Sequence, residues 1–305
     1  MFITKNQTTY VTFPGVPCEM QAMLNLILPD LTEEQAAIVS HKIKMTNITE
    51  SKMAQMILDH YEQNSLANPF LESNPSLAPY ADLGDVYLRI TAKAKTSAEA
   101  KNLIDEFKKP IEKILANYIY GYDDDTLAKV LAKILVEKQL NIAFAESCTG
   151  GLASKIMTDL AGASAYTKVN LVTYSNESKQ KFLGVSAETL MSEGAVSDTC
   201  AREMVVGLSK ISDADINVSI TGIAGPDGAS EEKPIGTIFV GIVIVGKQGL
   251  EIKTHNSGIQ KHEEGYFCTV QKLDWAHRPL DREQVRELAV KKVLWILINL
   301  LKLGI

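Results

Sequence analysis

A loop of small polar residues follows a short apolar segment near the middle of the chain. The stretch AFAESCTGGLASKI, residues 143–156, contains two candidate nucleophiles, Ser147 and Cys148. Where a strand passes into a helix, the N–H groups of the loop and of the first helical turn converge, and they can hold a phosphate or a developing oxyanion. The pattern therefore predicts nucleophilic chemistry beside an anion-binding turn, and it leaves open which of the two residues acts.

Two glycines in this loop, Gly150 and Gly151, allow a ligand to approach the backbone closely. A purely structural interpretation also stays open, in which the segment is a tight turn and Ser147 or Thr149 caps the helix. The spacing fits neither the Walker pattern nor GxSxG. The loop alone therefore does not assign a reaction.

A serine nucleophile needs a base, and the chain offers a lysine more readily than a histidine. Its five histidines all lack a motif-like context. In VTYSNESKQKF, residues 172–182, Tyr174 ends a predicted strand and Lys179 falls in the first turns of the next helix. A desolvated lysine with a lowered pKa can act as a base. The alternatives are a tyrosine at the rim and a solvated surface lysine.

A third loop, TGIAGPDGASEEKPIG at residues 221–236, leaves another apolar strand and is rich in glycine and proline. A long loop at the carboxyl end of a strand can close over a ligand. The alternative is an ordinary surface loop, which is less typical at this length.

These loops require a sheet that gathers them. From residue 126 onward, helical patterns alternate with strands, and the near-continuous apolar runs at 215–222 and 236–245 are typical of strands covered on both faces. We predict an α/β sandwich with a central, mostly parallel sheet over residues 122–305. Residues 31–121 read as a small α+β unit, with its boundary in the acidic segment YGYDDDT.

Composition excludes several functional classes. The 305 residues carry a net charge of −6 with no lysine or arginine cluster, which argues against nucleic-acid and anionic-membrane partners. The four cysteines lack metal-binding spacing, so we expect a reduced cytoplasmic protein with no metal and no cofactor. The N-terminus lacks the features of a signal peptide, and the apolar run at 293–301 is too short to span a bilayer.

The motifs AESCTGGLASKIMTDLAGAS, VTYSNESK, EGAVS and SITGIAGPDGASEEKPIGT resemble the CinA C-terminal domain, the PncC-type nicotinamide-nucleotide amidohydrolases. The resemblance covers residues 122 to about 255. It implies hydrolysis of nicotinamide mononucleotide to nicotinate mononucleotide and ammonia, without a metal. It also implies that Ser147 is the nucleophile, Lys179 its base partner and Tyr174 a neighbouring catalytic hydroxyl.

The same resemblance implies a substrate pocket and a phosphate clamp. The family carries arginines at the start of its last helix, where this chain has DREQVRE. The substrate-binding residues that we predict on this basis are Thr149, Gly150, Gly151, Thr221, Gly222, Arg282 and Arg286.

Two regions depart from this pattern. Residues 259–280 replace what is usually a short connection in the family, and they either form an insertion at the rim or displace the two arginines. TFPGVPCEMQAML resembles the end of the family's molybdopterin-binding-like N-terminal domain, so residues 1–30 are interpreted as a remnant of it. We do not predict the ADP-ribose pyrophosphatase activity associated with that domain. The middle unit is similar to the family's KH-like domain but has no GxxG loop.

The sequence thus predicts an amidase acting on nicotinamide mononucleotide in pyridine-nucleotide salvage. One alternative is a nucleotide-binding or interaction protein that keeps the pocket without turnover. Another is a structural relic in which residues 1–120 only mediate association. The apolar C-terminal helix and the first 30 residues favour a homodimer.

Overall fold

The computed structural model describes residues 2–5, 8–31, 36–71, 73–245, 260–261, 266–275 and 279–302. The first part is a hairpin of β1 (Phe2–Lys5) and β2 (Thr8–Val11), followed by α1 (Pro17–Leu31). Proline suits the first position of α1, because the N–H that it lacks would have no partner within the helix. The assignment of residues 1–30 to a remnant domain stays a prediction.

The middle part packs two helices on one face of an antiparallel sheet. Its elements are β3 (Ala37–Thr46), α2 (Glu50–Gln63), β4 (Ser76–Asp82), β5 (Asp85–Ala94), α3 (Ser97–Leu115) and β6 (Ile119–Tyr122). The strand order is β4-β5-β3-β6. Thr49 caps α2, and α3 continues through Pro110, although proline inside a helix usually kinks or breaks it.

The C-terminal part is built on a six-stranded sheet in the order β11-β12-β10-β9-β7-β8. Its strands are β7 (Ile142–Glu146), β8 (Thr167–Val172), β9 (Ile216–Gly222), β10 (Thr237–Val245), β11 (Gln260–Lys261) and β12 (Tyr266–Asp274). Its helices are α4 (Leu127–Glu137), α5 (Leu152–Thr158), α6 (Asn176–Leu183), α7 (Ala187–Ser192), α8 (Asp198–Ser212) and α9 (Arg282–Lys302), with a 3₁₀ turn at Ala163–Ala165. The predicted α/β class is confirmed.

This sheet is mixed. β7 pairs in parallel with β8 and β9, whereas β9–β10, β10–β12 and β11–β12 are antiparallel. Helices cover both faces: Phe144 shares a buried cluster with residues of α4, α5 and α9, and the neighbouring Ala143 and Ala145 share one with residues of α8. Covering both faces explains why the central strands read as continuous apolar runs.

The segment at residues 259–280 belongs to this sheet. Tyr266–Asp274 form β12, which pairs with β10 from Val245 to Thr237. The described part of the segment therefore extends the sheet as a strand and is not a loop at the rim. His262, His277 and Arg278 lie outside the described residues. So does LEIKTHN at 250–256, which the sequence predicts to be a hairpin strand after the short KQG turn.

The parallel strands place the loops of interest at one edge of the sheet. β7, β8 and β9 run in the same direction, so their carboxyl ends, after Glu146, Val172 and Gly222, meet there. A ligand site is expected at this edge of an open α/β sheet.

Within the described residues, no helix combines the length and the apolar character needed to cross a bilayer.

Candidate active site

The centre of the site is a lysine amine held against a serine hydroxyl. The Nζ atom of Lys179 lies 2.9 Å from the Oγ atom of Ser147, although the two residues are 32 positions apart in sequence. Lys179 is 1% exposed and Ser147 is 8% exposed. The alternative of a solvated surface lysine is therefore wrong.

Local structure fixes the amine. Ser175 caps α6 by accepting a hydrogen bond from the Ser178 N–H, which places Lys179 in the first turn of the helix with its side chain facing the sheet edge. The Nζ atom also lies 2.9 Å from the carbonyl oxygen of Thr173 and 3.1 Å from that of Tyr174. A neutral amine has two N–H bonds for these two carbonyls, so its lone pair is left to accept the Ser147 proton.

Burial favours the neutral amine. Desolvation lowers the pKa of Lys179, and the opposing influences come from the thiols of Cys200 and Cys148. Burial raises the pKa of Cys200 to about 11 and that of Cys148 to about 12. Both thiols are therefore neutral near pH 7, and they do not hold the proton on Lys179 there.

The thiol beside Ser147 is poorly suited to act as a nucleophile. The thiolate is the reactive form of cysteine, and burial holds the pKa of Cys148 near 12. Cys148 belongs to the main apolar cluster and is 6% exposed. Of the two candidates that the loop offered, only Ser147 faces a base.

A buried carboxylate, which the sequence analysis missed, organises the loop. Glu146 is fully buried, and its Oε2 accepts hydrogen bonds from the N–H groups of Gly151 and Ala153 at 3.0 and 3.1 Å. Its Oε1 accepts from the N–H and the hydroxyl of Ser154, at 2.8 and 2.5 Å. The signal available in the sequence was the lone acidic residue that ends an otherwise apolar strand, because a buried acid needs several donors.

This contact corrects the expected anion site. Glu146 occupies the first N–H groups of α5, which we expected to hold the oxyanion, and neither Ser147 nor Thr149 caps that helix. Among the loop amides in the described part of the chain, those of Cys148 and Thr149 donate to no backbone carbonyl, and both contribute hydrogen bonds to the Cys148 thiol. They are the amides next to Ser147 that neither a backbone carbonyl nor Glu146 occupies, so they are the candidates for binding a developing oxyanion.

The two glycines give the loop its shape. Gly150 and Gly151 have φ values of +59° and +93°, a region that other residues rarely adopt. A Cβ atom at Gly150 would lie 3.3 Å from the guanidinium of Arg286. The glycines thus allow the last helix to approach the loop.

The arginines at the start of α9 reach this site. Arg286 donates from Nη2 and Nε to the Thr149 carbonyl, at 2.7 and 3.3 Å. Arg282 donates to the Gly225 carbonyl at 2.5 Å and to the Tyr174 hydroxyl at 2.9 Å. The segment at 259–280 therefore does not displace them from the loops of the site.

The start of α9 is itself fixed. The Asp281 carboxylate accepts from the Gln284 N–H at 2.9 Å, and the Gln284 side-chain oxygen accepts from the Asp281 N–H at 3.0 Å. This reciprocal arrangement is a capping box. It defines where the helix begins, and so where the arginine backbone lies.

Tyr174 sits at the rim. Its side chain is 58% exposed, and its hydroxyl accepts from Arg282. In the described residues, no hydrogen bond joins that hydroxyl to Ser147 or Lys179. The contact between Tyr174 and the amine is made by the backbone carbonyl.

Thr221 and Gly222, the remaining predicted pocket residues, lie at the end of β9. Gly222 ends β9 opposite Ile238. The Thr221 hydroxyl donates to the Ala195 carbonyl, so it is turned toward the segment before α8. Within the described chain, the buried hydroxyls of Thr149 and Thr237 have no hydrogen-bond partner.

A cavity of about 770 Å³ adjoins the site. It lies among α4, α5, α9 and the middle sheet, and both arginines line it, whereas Ser147, Lys179 and Tyr174 do not.

In the described part of the chain, no group of three or more His, Cys, Asp or Glu side chains is placed to hold a metal ion.

Two family models match the chain. The one described as the CinA C-terminal domain matches residues 124–280, a range that includes the segment before α9. The one described as the damage-inducible protein CinA KH domain matches residues 40–121.

Curated relatives agree with these matches. A competence-damage inducible protein of Clostridium perfringens (strain SM101) is 39% identical over 280 residues, which cover 91% of this chain and 65% of the relative. A CinA-like protein of Prochlorococcus marinus (strain AS9601) is 41% identical over 238 residues, covering 77% and 54%. The chain thus spans less than two thirds of the length of these relatives.

Among solved structures, a CinA superfamily protein from Klebsiella pneumoniae is 29% identical, with 58% of this chain and 96% of that chain covered and a TM-score of 0.48.

Proposed function

Because this chain belongs to the CinA family, we propose that it hydrolyses the carboxamide of nicotinamide mononucleotide to nicotinate mononucleotide and ammonia. The observation that carries the proposal is the 2.9 Å approach of the Lys179 amine to the Ser147 hydroxyl in a buried setting. A lysine with a lowered pKa beside a serine is a recognised alternative to the histidine-based triad.

The first half-reaction acylates the serine. Neutral Lys179 takes the proton of Ser147 Oγ as that oxygen bonds to the carboxamide carbon. The carbonyl oxygen gains negative charge, and the amides of Cys148 and Thr149, which no backbone carbonyl occupies, are proposed as donors to it. When the C–N bond breaks, Lys179 returns its proton to the departing nitrogen, and ammonia leaves.

The second half-reaction releases the acid. A water molecule attacks the acyl carbon while Lys179 accepts its proton. The proton then passes to Ser147 Oγ as the ester bond breaks, which restores the starting pair and yields the carboxylic acid. The same amine serves as base and acid in both halves, so it must titrate near the working pH.

The substrate's phosphate needs a cationic clamp, and Arg282 with Arg286 is proposed for this role. Both guanidiniums already meet at the loops beside Ser147, where they donate to carbonyls. A guanidinium has five N–H donors in a fixed fork, so each arginine retains donors for phosphate oxygens.

The test is ammonia release from nicotinamide mononucleotide by the wild type and by Ser147→Ala. We expect Ser147→Ala to lose about three orders of magnitude or more in kcat, as loss of a catalytic nucleophile does elsewhere. Ser192→Ala, which removes an exposed serine hydroxyl from α7, is the matched control and should retain the wild-type rate. Equal rates for Ser147→Ala and the wild type would remove Ser147 from the mechanism. Tight nucleotide binding by the wild type without acid product would favour the binding-protein alternative.

A further inference from the structure

α9 joins two parts of the molecule that the sequence analysis treated separately. Its first two turns carry Arg282 and Arg286, and its next turns contact the middle unit through Leu288, Lys291 and Lys292. Arg286 and Lys291 are five residues apart, or roughly 7.5 Å along the helix axis. Because a helix of this length is stiff, its placement at Lys291 fixes where its arginines lie.

The contact with the middle unit is dense at one turn, Leu83–Asp85, between β4 and β5. The Nζ atom of Lys291 lies 2.7 Å from Oδ2 of Asp85 and donates to the Leu83 carbonyl at 2.5 Å. A further hydrogen bond, from Nζ of Lys292 to the side-chain oxygen of Asn47 at 2.6 Å, also joins α9 to the middle unit.

The same turn packs closely against the helix. Gly84 has a φ of +75°, and a Cβ atom there would lie only 2.7 Å from Cδ2 of Leu288. The Gly84 carbonyl accepts a hydrogen bond from the Thr46 hydroxyl at 2.7 Å, which anchors the turn to β3. The turn is therefore held by its own sheet independently of its contacts with α9.

The ion pair in this contact is partly shielded from water. The side chains of Lys291 and Asp85 are 20% and 22% exposed, and Glu287 lies 3.0 Å from the same amine. Burial alone would lower the pKa of Lys291, but the hydrogen bonds and charges of Asp85 and Glu287 outweigh it and raise that pKa. The Lys291 amine therefore stays charged at neutral pH.

We propose that the middle unit positions the phosphate clamp: the turn Leu83–Asp85, through Lys291, sets the place of Arg282 and Arg286 at the site. This inference rests on the proposed function, since it assigns a role to the clamp. Lys291 is a positioning residue in this scheme: its amine is bonded to Asp85 and the Leu83 carbonyl, and it acts through the helix that it holds.

The experiment compares the wild type with Lys291→Met on two substrates, nicotinamide mononucleotide and nicotinamide riboside, which lacks the phosphate. Loss of one well-placed charged hydrogen bond to phosphate corresponds to about a tenfold change in affinity. We therefore expect KM for the nucleotide to rise about tenfold, with kcat retained and with KM for the riboside unchanged. Lys291→Arg should restore the nucleotide KM.

Two further variants keep the result interpretable. Asp85→Asn weakens the same contact from the middle unit. It should likewise raise KM for the nucleotide and leave KM for the riboside unchanged. Lys133→Met breaks an exposed pair with Glu137 on α4 and should change neither KM. An equal rise in KM for both substrates would overturn the inference. So would a wild-type KM for the nucleotide in both Lys291→Met and Asp85→Asn.

A substrate-free readout separates this inference from the amidase proposal. The Nε–H of Arg286 donates to the Thr149 carbonyl, so its ¹⁵N–¹H resonance reports the placement of the arginine in the free protein. We expect this resonance to shift in Lys291→Met and to stay in place in Lys133→Met. An unchanged resonance in Lys291→Met would refute the positioning role whether or not the wild type releases ammonia.

Discussion

Replacing Glu146 with glutamine tests whether the buried carboxylate organises the nucleophile loop. The carboxylate accepts four hydrogen bonds, from the N–H groups of Gly151, Ala153 and Ser154 and from the Ser154 hydroxyl. Glutamine has nearly the same shape, but it replaces one oxygen with an NH₂ group that cannot accept. With the NH₂ group toward Gly151 and Ala153, two backbone N–H donors face another donor. With it toward Ser154, one does, because the Ser154 hydroxyl can turn and accept from the NH₂ group.

The magnitude follows from this count. A buried donor left without a partner costs about 1–3 kcal/mol, so the orientation that strands only the Ser154 N–H predicts a loss of about 1–3 kcal/mol in the free energy of unfolding. The loop that carries Ser147 is held by the same bonds, so kcat should fall as well. The expected loss is large for a change of one atom, because surface substitutions usually stay within about 0.5 kcal/mol.

The assay is urea unfolding followed by circular dichroism, together with ammonia release at a temperature where each variant is folded. Ser154→Ala is the control, because it removes only the hydroxyl bond to Oε1 and leaves the three amide bonds in place. Its cost should be near 1 kcal/mol, as for an ordinary hydrogen bond. If Glu146→Gln unfolded within 0.5 kcal/mol of the wild type and kept its turnover, the organising role would be refuted.

Three other substitutions have expected outcomes. Cys148→Ala should retain most of the turnover, since burial holds the pKa of that thiol near 12; a loss that matches Ser147→Ala would reassign the nucleophile. Tyr174→Phe should raise KM more than it lowers kcat in steady-state kinetics, because its hydroxyl contacts Arg282. A fall in kcat with little change in KM would instead support a catalytic role for that hydroxyl. Asp281→Ala removes the cap of α9 and should cost about 1 kcal/mol in urea unfolding while raising KM for the nucleotide; an unchanged KM would argue that the cap does not place the arginines.

The sequence predicted the site best where local pattern and loop chemistry agree. The strand preceding Ser147, the helix carrying Lys179 and the buried strands flanking them follow from hydrophobic period and capping signals. The pairing of amine and hydroxyl across 32 residues depends on β7 and β8 lying side by side, which no local pattern specifies. The resemblance to the CinA family supplied that pairing as an expectation.

The sequence failed where a residue's partner is set by tertiary structure. The sequence analysis did not single out Glu146, because its role depends on the path of the backbone through residues 151–154. The segment at 259–280 looked like an insertion because pattern reasoning cannot show that Tyr266–Asp274 extends a sheet by pairing with β10. The contact between Lys291 and Asp85 joins residues about 200 positions apart, beyond the reach of any spacing rule.

The central claim is that Lys179 is neutral while it faces Ser147, and a titration of that amine tests it most directly. The protein is labelled with ¹³C at lysine Cε, and Lys179→Met assigns the signal. Because desolvation lowers its pKa, we expect the Lys179 signal to titrate with a midpoint below the ordinary value of 10.5, and kcat/KM for the nucleotide to rise through the same midpoint. Folding stability should rise over the pH range between that midpoint and 10.5, because the unfolded chain binds the proton more tightly there. A Lys179 signal that stays in the charged form throughout the pH range in which ammonia is released would contradict the mechanism.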